Sequence, residues 1–191
     1  DTINVASRTY YDAVDVDKRL TITGGNYGVS MNGLYNSCNN WPLIGYYDFD
    51  NSGSNYVYDM VWCENNRGDI EGATRTTSSF WGDNALDFDG SDDYVEVDHS
   101  SIYNVSEVSI SAWINLDDND TDTRSIFSNY QQTGSEENGY DIFITNESKF
   151  TFRFGYESGS GHCESDAGIS ENIWTLVTAT YDGSSIKIYI N

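Results

Sequence analysis

Five aspartates stand between Trp81 and Val97 in the run WGDNALDFDGSDDYVEV. Four of them, Asp87, Asp89, Asp92 and Asp93, surround Gly90. Carboxylates crowded in this way suit one kind of chemistry, the supply of hard oxygen ligands to a cation. Calcium takes about six to eight oxygens, drawn from carboxylates and turn carbonyls. The same residues also serve without any ion, because Asp side chains bond their own backbone in tight turns. A second acidic run, DFDNSGSNYVYD, imitates EF-hand spacing: Asp48, Asp50, Ser52, Gly53 and Asp59 fall at the ligand and turn positions. No helical period flanks that run, so it is a candidate for an isolated calcium loop and not for an EF-hand. A third candidate, SEENGYDIF, groups Glu137, Asn138 and Asp141.

Nucleophilic chemistry is poorly represented. His99 and His162 could each be written into a Ser/His/Asp set, but no nucleophile elbow accompanies them. His162 and Cys163 are adjacent, which by itself makes no site. The tripeptide Arg67-Gly68-Asp69 matters only if the partner is an animal cell. Sequons at Asn104, Asn119 and Asn146 are candidate glycosylation acceptors. Cys38, Cys63 and Cys163 fit no zinc spacing; a Cys38–Cys63 disulfide is compatible with the order, and an odd cysteine is left over.

Elements with the right geometry must hold these acids. Period-two alternation dominates the chain. In VSISAWINL, Val108, Ile110, Ala112, Ile114 and Leu116 share one face, with Trp113 on the other. In KFTFRFGY, Phe150, Phe152, Phe154 and Tyr156 oppose Thr151 and Arg153. SIKIYI aligns Ile186, Ile188 and Ile190. Short strands separated by Gly, Asp, Asn and Ser turns predict an all-β, two-sheet antiparallel sandwich.

Composition narrows the partners. The 191 residues carry 31 acids against 9 bases, a formal net charge of −22. A nucleic-acid surface needs clustered Lys and Arg, so nucleic acid is excluded. No apolar run approaches the ~20 residues of a membrane helix, so no membrane insertion is expected. Aromatic residues make up 15% of the chain, which disordered acidic chains lack. Acidity, aromatics and the absence of basic motifs together predict an extracellular, cell-surface setting.

The order LIGYYDFDNSGSN, GDNALDFDGSDDYVEV, VSISAWINL, RSIFSN, YDIFITNESKFTFRF, WTLVTATYDGSSIKIYIN resembles the laminin G-like, concanavalin A-like jelly rolls over residues 43–191. The resemblance implies a module that binds glycans or surface proteins, often with calcium. It also implies that Glu137 and Asn138 match an acidic/amide pair holding calcium in the related pentraxin jelly rolls, with Asp141 beside them. Laminarinase-like members place catalytic acids on a Glu-x-Asp-x-x-Glu strand. EVDHSS supplies Glu96 and Asp98 but has Ser101 at the last position, so no enzyme is expected. Residues 1–30, with YYDAVDVDKRLTITGG, resemble a coil of a right-handed parallel β-helix, and 31–42 read as a connector.

The expectation is therefore a non-catalytic binding or adhesion module, with glycans stacking on Tyr130, Tyr140 and Tyr156. The alternatives are a structural segment of a surface filament and an accessory domain of a polysaccharide-degrading enzyme. The family pattern continues past IKIYIN, whereas this chain stops at Asn191. The jelly roll is thus expected to be truncated at its C-terminal end. A strand slot beside Leu43–Phe49 should then be filled by later sequence or by a neighbouring subunit through strand complementation.

Overall fold

The structure is a computed structural model and describes residues 20–23, 43–50, 53–60, 67–80, 82–117, 122–133, 136–156 and 159–191. In chain order the strands are β1 (Leu20–Thr23), β2 (Leu43–Tyr47), β3 (Tyr56–Val57), β4 (Gly68–Glu71), β5 (Thr74–Thr76), β6 (Ala85–Asp87), β7 (Tyr94–Val97) and β8 (Val108–Ile114). There follow β9 (Arg124–Ser128), β10 (Gln131–Thr133), β11 (Glu136–Ile144), β12 (Lys149–Tyr156), β13 (Gly159–Gly168), β14 (Thr175–Tyr181) and β15 (Ile186–Ile190). The fold is all-β, as the alternation predicts. Its one described helical piece is a single 3-10 turn, Ser101–Tyr103.

Two five-stranded sheets form the sandwich. One runs β15-β14-β8-β1-β2; the other runs β10-β11-β12-β13, with β9 also paired to β11. Smaller sheets, β3-β4-β7 and β5-β6, are built from the residues between β2 and β8. The core lies between the large sheets. Val108, Ile110 and Ala112 of β8 and Val177 and Ala179 of β14 meet Tyr140, Ile142 and Ile144 of β11 and Phe150 and Phe152 of β12. Each set is spaced by two because alternate strand residues point to the same face. Ile186 and Ile188 pack against this cluster from β15, while Ile190 stays 37% exposed.

The face of β8 away from the core is also covered. Ser109 and Ser111 are buried, Ser111 shares a 2.7 Å hydrogen bond with Thr178, and Trp113 stacks on Phe80 at 3.8 Å. Ser111 and Thr178 thus satisfy each other on a face that the alternation assigns to solvent.

One strand departs from the sequence expectation. Leu20–Thr23 falls within the stretch resembling a β-helix coil, yet it lies between β2 and β8 in the sandwich sheet, parallel to both. It thus occupies the slot beside Leu43–Tyr47 that was expected to take later sequence or a neighbour's strand. The other residues of 1–30, the connector 31–42, Cys38 and Cys63 lie outside the described residues.

Candidate functional site

Strand register builds the most organised polar group among the described residues. The β11–β12 hairpin pairs Asp141 with Arg153, and β13 brings His162 opposite Arg153. These residues alternate with Ile142, Phe152 and Cys163, so their side chains leave the sandwich on its outer face. Arg153 donates from Nε (3.1 Å) and Nη2 (2.5 Å) to the two oxygens of Asp141. Such a two-bond fork fixes both orientation and charge. The guanidinium also lies 3.7 Å above the Tyr130 ring and 5.5 Å from that of Phe143. Asp141 keeps 9% side-chain exposure and Arg153 keeps 35%, so the pair has a sealed anion and an open cation.

Glu137 completes the group. The Ser160 hydroxyl, and after it the Tyr130 hydroxyl, hold the Glu137 carboxyl below the usual glutamate range. In turn, loss of hydration and then Glu137 raise the Tyr130 phenol. The Tyr130 hydroxyl makes no hydrogen bond of full geometry, so its link to Glu137 is one of proximity. Arg153 is held above its ordinary value, chiefly by Asp141. Tyr130, a candidate sugar contact, and Glu137 and Asp141, candidates for one calcium site, thus meet around Arg153. The alternation placed Arg153 opposite the phenylalanines but did not mark it as functional. A basic residue facing outward between three inward aromatics was the available signal.

The remaining candidates separate. Tyr140 is not a surface platform: it is 1% exposed and its ring stacks with Phe127 at 5.7 Å and Phe154 at 6.0 Å. Its two-residue spacing from Ile142 turns it inward, which corrects the expectation of a sugar contact. Tyr156 pairs with Gly159 at the end of β12, and its side chain lies outside the described residues. Asn138 is exposed and pairs with Gln131 in the β10–β11 hairpin. Both oxygens of Asp141, by contrast, accept from Arg153.

The EF-hand-like run does not converge on a cation either. Asp50 Oδ1 accepts from the backbone N–H groups of Asp83 (2.8 Å) and Asn84 (3.0 Å), pinning a distant turn. Asp48 Oδ1 accepts from the Asp50 N–H at 3.1 Å. Asp59 Oδ1 accepts from the Tyr46 N–H at 2.9 Å. One oxygen of each acid thus accepts from backbone amides and braces a turn, and the three do not gather into one cluster among the described residues; Ser52 is outside the described residues.

The opening aspartates do converge. Asp89, Asp92 and Asp93 offer carboxylate oxygens within 4.8 Å of one another, the only such group of three among the described residues. Asp87 sits on β6 opposite Thr74 and is not part of it. Two oxygens already serve the turn: Asp93 Oδ2 accepts from the Asp89 N–H, and Asp89 Oδ1 from the Ser91 N–H, both at 2.8 Å. Three carboxylates within reach of one another offer about half of the oxygens that a calcium ion takes.

Arg67-Gly68-Asp69 is not a loop tip. Gly68 and Asp69 lie in β4, and Arg67 sits 3.9 Å from the Tyr56 ring and 3.2 Å from Asp69. Glu96 lies on β7. Asn104 and Asn146 are exposed, as acceptors must be, whereas Asn119 lies outside the described residues.

A family model described as the concanavalin A-like lectin/glucanases superfamily matches residues 89–191. No curated protein and no solved structure matches the chain.

Proposed function

Because the chain belongs to the concanavalin A-like lectin/glucanases superfamily, we propose that it is a non-catalytic, extracellular binding module whose ligand is a glycan. The observation that carries this reading is the Arg153 group on the outer face of β11–β12–β13. A sugar offers vicinal hydroxyls and an apolar C–H face. A guanidinium fixed by a carboxylate presents donors in one plane, and Tyr130 and Phe143 bring aromatic surface beside it. The Arg153–Asp141 fork uses Nε and Nη2, so Nη1 lies outside that pair. Asp141 neutralises the guanidinium and the whole chain is acidic, so the face favours a neutral glycan over an anionic one. Glu96 and Asp98 lack a third acid in the expected register, which supports binding without cleavage.

Calcium belongs to this proposal as a stabilising ion at the Asp89–Asp93 turn. No helix among the described residues is long and apolar enough to cross a membrane. Screening the chain on an array of neutral and acidic glycans tests the proposal. Binding to neutral glycans without release of reducing ends is the expected result. Reducing-end release would make it an enzyme, and fibres with no glycan signal would favour a filament segment.

A further inference from the structure

Strand β1 breaks the rule of its own sheet. The other strand pairs among the described residues are antiparallel, whereas β1 is parallel to β2 on one side and to β8 on the other. Its ladder to β8 runs from Leu20↔Ser109 to Thr23↔Ala112 without interruption. The ladder to β2 shifts register between Leu20 and Ile22. Only four residues fill a place beside the seven-residue β8. Strands lie about 4.8 Å apart, so without β1 the edges of β2 and β8 would face each other across about 10 Å with their backbone groups open.

Nothing in this pairing is local. The partners of Leu20 are Leu43 and Ser109, and the stretch 24–42 joins β1 to β2. A parallel pair needs a crossover of about a dozen residues or more, which that stretch supplies. The same Leu20–Thr23 segment from a second copy would meet the same edges and make the same bonds. Exchange therefore loses no contact and changes only which chain supplies the strand.

We propose that Leu20–Thr23 is an exchangeable strand, and that the β2–β8 slot of one copy accepts the β1 of a second copy of this chain. The internal strand is tethered to its slot by its own chain, so the self-filled monomer prevails in dilute solution. Exchange takes over as protein concentration rises. The net charge of −22 opposes the approach of two copies. Salt at about 0.15 M, where charges are screened beyond about 8 Å, therefore favours exchange.

The test measures the mass of the full chain by light scattering across a concentration series after brief incubation in mild urea. A dimer or larger species that grows with concentration, and grows further with salt, is expected. Ile22→Pro removes one ladder donor and should lower that fraction at least threefold. A synthetic peptide of residues 17–26 should compete it away and bind the Ile22→Pro chain. The peptide arm reads the slot directly even if the proline variant folds poorly. A chain that stays monomeric throughout and ignores the peptide overturns the proposal. So does a dimer unaffected by both, because its interface then lies elsewhere. Neither result bears on glycan binding by the Arg153 face.

Discussion

Removing Arg153 takes both guanidinium bonds from Asp141, a carboxylate only 9% exposed in the intact pair. Stripping one partner from a fully buried pair destabilises by about 3–5 kcal/mol, and half-exposed pairs contribute less. Arg153→Ala should therefore lower stability by about 1–3 kcal/mol in urea unfolding, and adding Asp141→Ala should recover part of it. No recovery would mean that Arg153 acts through packing on Tyr130 alone. Acid pH gives an independent check. Glu137 is held below its ordinary value, so its contribution is present above the unfolded glutamate range and is lost as pH falls through the folded value. The stability difference between the wild type and Glu137→Gln should be flat near neutrality and close on acidification. Alkaline pH works in the opposite direction. Burial, with Asp48 and Asp50 behind it, pushes the Tyr46 phenol up to about 12, and burial plus the Tyr103 hydroxyl moves Tyr47 the same way. Above about pH 10 the unfolded chain releases phenol protons that the folded chain still holds, so stability should fall as pH rises through this window. The part of the tyrosinate absorbance that Tyr46→Phe and Tyr47→Phe remove should then appear together with unfolding, not before it.

At the scale of elements, β11 makes a close approach at Gly139, inside the strand, to the chain between β9 and β10. The φ of Gly139 is +86°, and a Cβ there would meet the Asn129 carbonyl oxygen at 1.8 Å. Gly90 has a similar φ of +77°, but a Cβ there would meet nothing within 4 Å. Backbone strain of about 1 kcal/mol is common to both sites; the clash belongs to Gly139. Gly139→Ala should lower the melting temperature well beyond Gly90→Ala, and equal losses would contradict the close approach. The strands themselves were legible because apolar residues recur at every second position in VSISAWI and KFTFRF and bury one face. The buried outer serines of β8 were not legible, since alternation says nothing about what covers the second face. The meeting of Asp141 with Arg153 was hidden for a different reason. It follows from hairpin register, and a shift of one residue would have turned Arg153 toward the core. Tyr140 was misread by the same gap: an aromatic beside acidic residues looks exposed until its spacing to Ile142 and Ile144 is followed. The place of Leu20–Thr23 depends on parallel pairing with distant strands, which no local pattern encodes.

Over the whole molecule, a net charge of −22 makes folding a matter of managing repulsion. General salt relieves that by screening, whereas a bound ion relieves it at one place. Calcium should raise the melting temperature more than sodium chloride of equal ionic strength, and Asp92→Asn should remove the excess. Equal effects of the two salts would leave screening alone and dismiss the Asp89–Asp93 turn as an ion site. The concanavalin A-like sandwich supplies rigid outer faces, and the proposed glycan site is the face that carries Arg153. Calorimetric titration of the best neutral glycan into the wild type and Arg153→Lys tests this most directly, because lysine keeps the charge and loses the planar fork. Saturable binding by the wild type and at least about tenfold weaker binding by the variant, roughly 1.4 kcal/mol, are expected, with a smaller loss of stability than Arg153→Ala causes. Undiminished binding by Arg153→Lys, or no binding by the folded wild type, would contradict the proposed glycan site.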